Sequence, residues 1–251
     1  MQKFDFMKVL TFDNCEYLTH TPNVSGLLNL EKFSVEKCNN LITIHDSIGK
    51  LNKLEILNAK KCIKLESFPP LQLPSLKELE LSYCRSLKKF PELLCKMTDL
   101  KEIALHNNTS IGGLPFSFEN LSELRHITIY RSGMLRIPKH IDKMYPIVFS
   151  NVESLSLYES NLSYECLPML LKWFVNVKHL DLSKNNFKIL PECLNECHLL
   201  RILELNHCKS LEEIRGIPPN LKELYAIKCN SLSSSSRRML LSQVCFCSML
   251  Q

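Results

Sequence analysis

The chain has 251 residues, 45% of them hydrophobic and 23% charged, with a net charge of +5. That balance supports a continuous apolar core and excludes a disordered polyelectrolyte. Only 6 glycines are present and the densest basic clusters are pairs, Lys60-Lys61 and Arg237-Arg238, so neither a phosphate-cradling glycine loop nor a nucleic-acid footprint is expected. The opening Met-Gln-Lys-Phe-Asp-Phe lacks the apolar core of a signal peptide, and no apolar run is long enough to span a membrane, which points to a soluble protein made in the cytosol.

Along the chain one nine-residue frame returns ten times. Its clearest copy is Leu76-Lys-Glu-Leu79-Glu-Leu81-Ser-Tyr-Cys84, which reads L-x-x-L-x-L-x-x-C. The ninth position falls at Cys15, Cys38, Cys62, Cys84, Asn108, Ser132, Ser160, Asn185, Cys208 and Cys229, at intervals of 21 to 28 residues. A beat of that length, held ten times over, predicts leucine-rich repeats. The L-x-L core alternates, so its leucines point to one side of a short strand and the intervening residues to the other. Successive strands stack in parallel and the chain then turns away, with the ninth residue in the turn. Backbone groups there need partners; an Asn amide supplies them, a thiol more weakly and in less space. The six cysteines at this position are expected to form a stacked column of structural thiols.

The second half of each repeat carries apolar residues every three positions. Pro91, Leu94, Met97 and Leu100 share this spacing with Pro115, Phe118, Leu121 and Leu124, and with Pro191, Leu194, Cys197 and Leu200. This predicts short helical or 3-10 turns on a convex side, opened by proline. The third and ninth repeats instead carry Pro69-Pro70-Leu-Gln-Leu-Pro74 and Ile217-Pro218-Pro219, and a bulging loop is expected near Lys143–Ser150. The expected fold is α/β: a leucine-rich-repeat horseshoe with a concave parallel sheet over residues 1–230, then a tail or cap over 231–251 whose helix is capped by Ser236.

Ten strands at ~4.8 Å spacing give an arc of roughly 43 Å, room for a protein partner. The candidate protein-binding residues on the concave side are Tyr83, His106, Arg125, Tyr130, Arg131, Tyr158, Lys184, His207, Tyr225 and Lys228. Tyr and Arg anchor protein interfaces because they bury large rigid surfaces with a polar tip. No catalytic, cofactor-binding or metal site is expected. The histidines at 106, 126, 179 and 207 occupy the seventh, third, third and eighth positions of their repeats and do not align. Cys193 and Cys197 lack a second pair nearby, and unpaired thiols in a column favour a reducing compartment. The sequons at Asn23, Asn108, Asn120 and Asn161 matter only outside the cell, and only Ile111-Gly-Gly-Leu-Pro115 is similar to the signature of extracellular plant repeats.

Several stretches resemble the repeat region of plant intracellular immune receptors of the TIR-NBS-LRR class. They include Thr21-Pro-Asn-Val-Ser-Gly-Leu-Leu-Asn-Leu30, His45-Asp-Ser-Ile-Gly-Lys-Leu-Asn-Lys-Leu54, Ser75 to Cys84, Ser86-Leu-Lys-Lys-Phe-Pro91 and Ser231 to Gln243. The resemblance covers roughly residues 6–243. It implies defence signalling: recognition of a pathogen effector or of a guarded host protein, resting-state packing on the nucleotide-binding domain, and cytoplasmic residence with the nucleus also open to it. TIR and nucleotide-binding domains are absent from the sequence, and Gly49-Lys50-Leu51 is not a phosphate loop. The alternative left open is the substrate-recognition subunit of a ubiquitin ligase, of the F-box leucine-rich-repeat type, which also uses Cys at the ninth position. An enzyme is the third reading, and assays of NAD hydrolysis and ATP hydrolysis discriminate it.

Overall fold

The structure, a computed structural model, describes residues 4, 6–111, 116–132, 149–243 and 246–248. The region of the expected loop at Lys143–Ser150 lies almost wholly outside them, as does Pro115. The described chain forms two compact parts: one runs to Leu124 and takes in Ser132, the other takes Arg125–Arg131 and the residues from 149 onward.

In the N-terminal part, β1 (Val9–Thr11), β2 (Lys32–Ser34), β3 (Ile56–Asn58), β4 (Glu78–Glu80) and β5 (Glu102–His106) pair in sequence order, all parallel. In the C-terminal part, β6 (His126–Tyr130), β7 (Ser154–Ser156), β8 (His179–Asp181), β10 (Ile202–Glu204) and β12 (Glu223–Tyr225) do the same. Each of the ten repeats thus contributes one strand. Register follows the leucine frame: Phe33 lies opposite Leu57, Leu57 opposite Leu79, and Leu180 opposite Leu203. Fourth and sixth positions such as Leu57, Leu81, Ile127 and Leu205 are buried. Covering each such side chain contributes about 1.5–3 kcal/mol of transfer free energy.

Two features recur in the turn after each strand. The eighth residue of all ten repeats (Asn14, Lys37, Lys61, Tyr83, Asn107, Arg131, Glu159, Lys184, His207 and Lys228) adopts a left-handed backbone, with φ between 48° and 68°. None is glycine, so each repeat accepts a conformation costing an L-residue roughly 1–2 kcal/mol. What holds it is a ladder bond one step beyond the strand: the N–H of Lys61 donates to the Ser82 carbonyl, and that of Lys184 to the Asn206 carbonyl, both at 2.8 Å. The ninth residue then donates back to the sixth-position carbonyl of the preceding repeat. Cys38, Cys62, Cys84, Asn108 and Ser132 reach Phe12, Val35, Ala59, Leu81 and Leu105. Ser160, Asn185, Cys208 and Cys229 reach Ile129, Leu157, Leu182 and Leu205. The expected thiol column is therefore a donor column in which thiol, hydroxyl and amide alternate by stretch. Cys15 is a correction: it is exposed, and among the described residues no earlier repeat offers it a carbonyl.

Outside the strands the expectation holds in part. Residues Phe116–Asn120 and Glu192–Glu196 form 3-10 turns, with Pro191 just ahead of the latter. Asp46–Lys50 does likewise, while α1 (Leu167–Trp173) is a short α-helix. The segment from Pro91 is not helical. It runs extended, with Leu93 bridged to Leu71 and buried, and Leu94 exposed at 55%. The inward-facing residue is thus Leu93 rather than Leu94, because the Leu94 N–H is drawn to the Leu71 carbonyl and the Leu93 N–H to the Ser117 hydroxyl. The proline-rich segments of repeats three and nine contain no helix, as expected. A second pair, β9 (Ile189–Leu190) with β11 (Glu213–Ile214), was not foreseen.

After the tenth repeat come α2 (Ser234–Gln243) and β13 (Phe246–Ser248), the latter parallel to β12 with Cys247 opposite Leu224. The helix is capped by Ser233, whose hydroxyl accepts the Ser236 N–H at 3.2 Å. Ser236 itself is buried one turn inside, where its hydroxyl accepts the Ile214 N–H.

Candidate functional site

The strand face is built from the second, third, fifth and seventh positions of each repeat plus the left-handed eighth residue. Second-position side chains form a charge ladder: Lys8 pairs with Glu31 at 2.8 Å, Lys77 with Glu55 at 2.7 Å, and Glu153 with both Arg125 at 3.8 Å and Lys178 at 3.0 Å. Arg125, a candidate contact residue, is thus already engaged within the face. These pairs are exposed and screened by solvent, so their effect is to fix side-chain direction rather than to stabilise the fold.

The densest arrangement lies in the C-terminal part and gathers four of the ten candidates. Tyr130 and Tyr158, both at seventh positions, bring their rings to 5.3 Å at 47°. Arg131 lies 5.2 Å from the Tyr130 ring centre and Lys184 lies 5.0 Å from that of Tyr158. Glu159 sits between the cations, 2.8 Å from Arg131 and 3.8 Å from Lys184. The Tyr158 hydroxyl against Lys184 holds that ammonium's pKa above its ordinary value, aided by the negative field of Glu159. The left-handed turn explains the geometry: it swings the eighth side chain back over the seventh of its own or the preceding repeat, so cations at 131 and 184 cover aromatics at 130 and 158. Offset aromatic pairs and ring–cation contacts of this kind each contribute about 0.5–1.5 kcal/mol and leave the edges of the rings presented.

The other candidates are dispersed. Tyr83 in the N-terminal part meets Lys61, 5.8 Å from its ring centre. His106 donates its backbone N–H to the Ser82 hydroxyl and accepts the Tyr83 N–H at its carbonyl. Tyr225 donates its hydroxyl to the Glu223 carboxylate at 2.7 Å, which raises the phenol's pKa. His207 and Lys228 hold left-handed eighth positions. His179 is paired with Glu204 at 2.8 Å. Glu159 and Lys61 were missed by sequence reasoning. The signal available for both was their place at the eighth position, next to the ninth-position donor.

The ten cysteines from Cys15 to Cys229 are free thiols. Burial pushes the Cys84 thiol up to about 12, and burial likewise raises Cys38 and Cys62, as fits groups that act as protonated donors. Among the described residues no group of three or more His, Cys, Asp or Glu is placed to hold a metal, and no helix is long and apolar enough to cross a membrane.

Comparison with known proteins agrees with this frame. The family pattern described as Leucine Rich Repeat matches residues 75–97 and 176–197. The TMV resistance protein N of Nicotiana glutinosa is 24% identical over 83% of this chain and 24% of its own length. Disease resistance-like protein DSC1 of Arabidopsis thaliana is 32% identical over 76% of this chain and 16% of its own. Disease resistance protein RPP4 of the same plant is 29% identical over 89% of this chain and 19% of its own. The chain therefore spans between a sixth and a quarter of the length of these relatives. It is a leucine-rich-repeat protein, related over most of its length to plant disease resistance proteins of the TIR-NBS-LRR class.

Proposed function

We propose that the chain is a non-catalytic protein-binding module of a plant immune receptor. In this reading its strand face recognises a pathogen effector or a guarded host protein, and in the resting state it packs on the nucleotide-binding and TIR domains of a parent receptor. It requires no cofactor and works in the cytoplasm, with the nucleus also open to it. The carrying observation is the aromatic pair Tyr130–Tyr158 with Arg131, Glu159 and Lys184 locked around it. Rigid Tyr and Arg side chains lose little conformational entropy on docking, which is why such groups dominate interface energetics. Of the remaining candidates, Arg125, His207, Tyr225 and Lys228 extend this face within the C-terminal part, and Tyr83 and His106 belong to the strand face of the N-terminal part.

Site-specific photo-crosslinking tests the reading. A benzophenone side chain placed at Tyr158 is compared with one at Leu94, in extracts of pathogen-challenged and unchallenged plant tissue. Discrete protein adducts from position 158, lost when Tyr130 and Arg131 are changed to Ala, are the expected result. Equal labelling from both positions, or none from 158, contradicts it.

A further inference from the structure

Resting on the reading of the chain as a protein-binding module, we infer that the N-terminal part carries a second contact site, which accepts an acidic extended segment of a partner protein. A groove of about 500 Å³ runs across the first four repeats, lined by their eighth and tenth residues, among them Glu16, Lys37, Lys61, Ile63, Tyr83 and Arg85. It lies past the strand ends, along the rim of the strand face formed by the left-handed eighth residues Lys37, Lys61 and Tyr83.

Three observations define the occupant. The first is charge: three of the groove's four ionisable charges are positive, with Glu16 the single acid, at the first repeat. This contrasts with the neighbouring strand face, where Glu31, Glu55 and Glu80 are tied to lysines outside the groove. The second is availability: Lys37 is only loosely held by Glu36 at 3.7 Å, and no ion pair to a carboxylate within the described residues occupies Lys61 or Arg85. The third is an apolar component: Ile63 is 41% exposed in the middle of the groove, beside the Tyr83 ring that Lys61 approaches. Cations flanking an exposed Ile and a Tyr match a peptide that alternates carboxylates with apolar side chains. Neighbouring repeats lie about 4.8 Å apart and an extended chain advances roughly 3.3 Å per residue. Carboxylates two or three residues apart therefore reach from Lys61 to Arg85 while the residue between them meets Ile63. A membrane or a nucleic acid would not use the apolar centre in this way.

The test is fluorescence anisotropy on the whole chain. The probes are a labelled short peptide alternating Glu with Leu and Tyr, the same peptide with Gln for Glu, and a labelled thymidine oligonucleotide. The acidic peptide is expected to bind at least about tenfold more tightly than either of the others. The double variant Lys61→Glu with Arg85→Glu is expected to weaken it about tenfold, and Ile63→Ala to weaken it by a smaller factor. A control pair in the other part, Lys172→Glu with Arg201→Glu, has the same net charge change and is expected to shift binding by less than about twofold. Equal losses in the two double variants, equal binding of the oligonucleotide, or no binding of the acidic peptide overturns the site. If crosslinks from position 158 persist while the acidic peptide fails to bind, the groove alone is refuted. If the peptide binds through Lys61 and Arg85 while position 158 stays unlabelled, the groove stands and the strand-face reading falls.

Discussion

Repeats two to four and repeats five to eight solve the same problem with different atoms. In the first stretch the ninth-position donor is a thiol: Cys38, Cys62 and Cys84 each reach one carbonyl at 3.0–3.1 Å. In the second it is an amide or hydroxyl, and its most engaged member, Asn185, does more. Its Nδ2 donates to the Leu157 and Leu182 carbonyls at 2.9 and 2.8 Å, and its Oδ1 accepts the N–H groups of Ser160 and Leu162. A thiol rung closes one bond; the Asn185 rung closes five, counting a longer contact of Nδ2 to the Ser183 carbonyl at 3.3 Å. Mechanical tolerance should differ accordingly, with the thiol stretch held mainly by buried leucines and the turn around Asn185 held by its amide.

The sharpest way to break this contrast is Asn185→Ala. Removing a fully buried amide leaves two N–H groups and a preceding-repeat carbonyl without partners, so the unfolding free energy is expected to fall by about 3–5 kcal/mol in urea titrations. Cys62→Ala strips one weak donor and a small volume, and should cost about 1–2 kcal/mol in the same measurement. Equal costs for the two would erase the distinction.

The thiol stretch also predicts an alkaline weakness. Folded Cys84 titrates near 12 against an ordinary thiol value of 9.0, because burial opposes the thiolate. A raised folded pKa means the associated stability is fully present below pH 9 and is lost as pH rises toward 12. The unfolding free energy should therefore fall over that window, by about 1.4 kcal/mol at pH 10 for this thiol, and Cys84→Ala should flatten the fall. The smallest effect concerns Asn108. Its Nδ2 reaches the Leu81 carbonyl at 2.8 Å, but its Oδ1 has no hydrogen-bond partner among the described residues. It works as a single donor, like a thiol, so Asn108→Cys should cost under about 1 kcal/mol, where Asn185→Cys costs clearly more.

The strands, their register and the role of the ninth position were legible because they depend on local periodicity. Leucines at fixed intervals must share one side of a strand, and a turn after each strand must satisfy its polar groups. Long-range competition was not legible. Leu94 lost its inward place to Leu93 through bonds to Leu71 and Ser117 of neighbouring repeats. Ser236 lost the cap to Ser233 because Ile214 claims its hydroxyl. The left-handed eighth residue carries no single-residue signature, since Lys, Tyr, Arg, Glu and His all occupy it. The Tyr130–Tyr158 cluster therefore appeared in the sequence only as separate candidates, and the groove at Lys61 and Arg85 not at all. Both depend on where that turn aims its side chains.

The central claim is that the ninth-position side chain fastens each turn to its neighbours and so holds the contact face in place. Amide hydrogen exchange on the whole chain, comparing Asn185→Ala with the unaltered protein, tests it most directly. The account predicts faster exchange at the Ser160 and Leu162 amides, with the strand amides of β7 and β8 still protected. Unchanged protection at those two amides in a folded variant contradicts it.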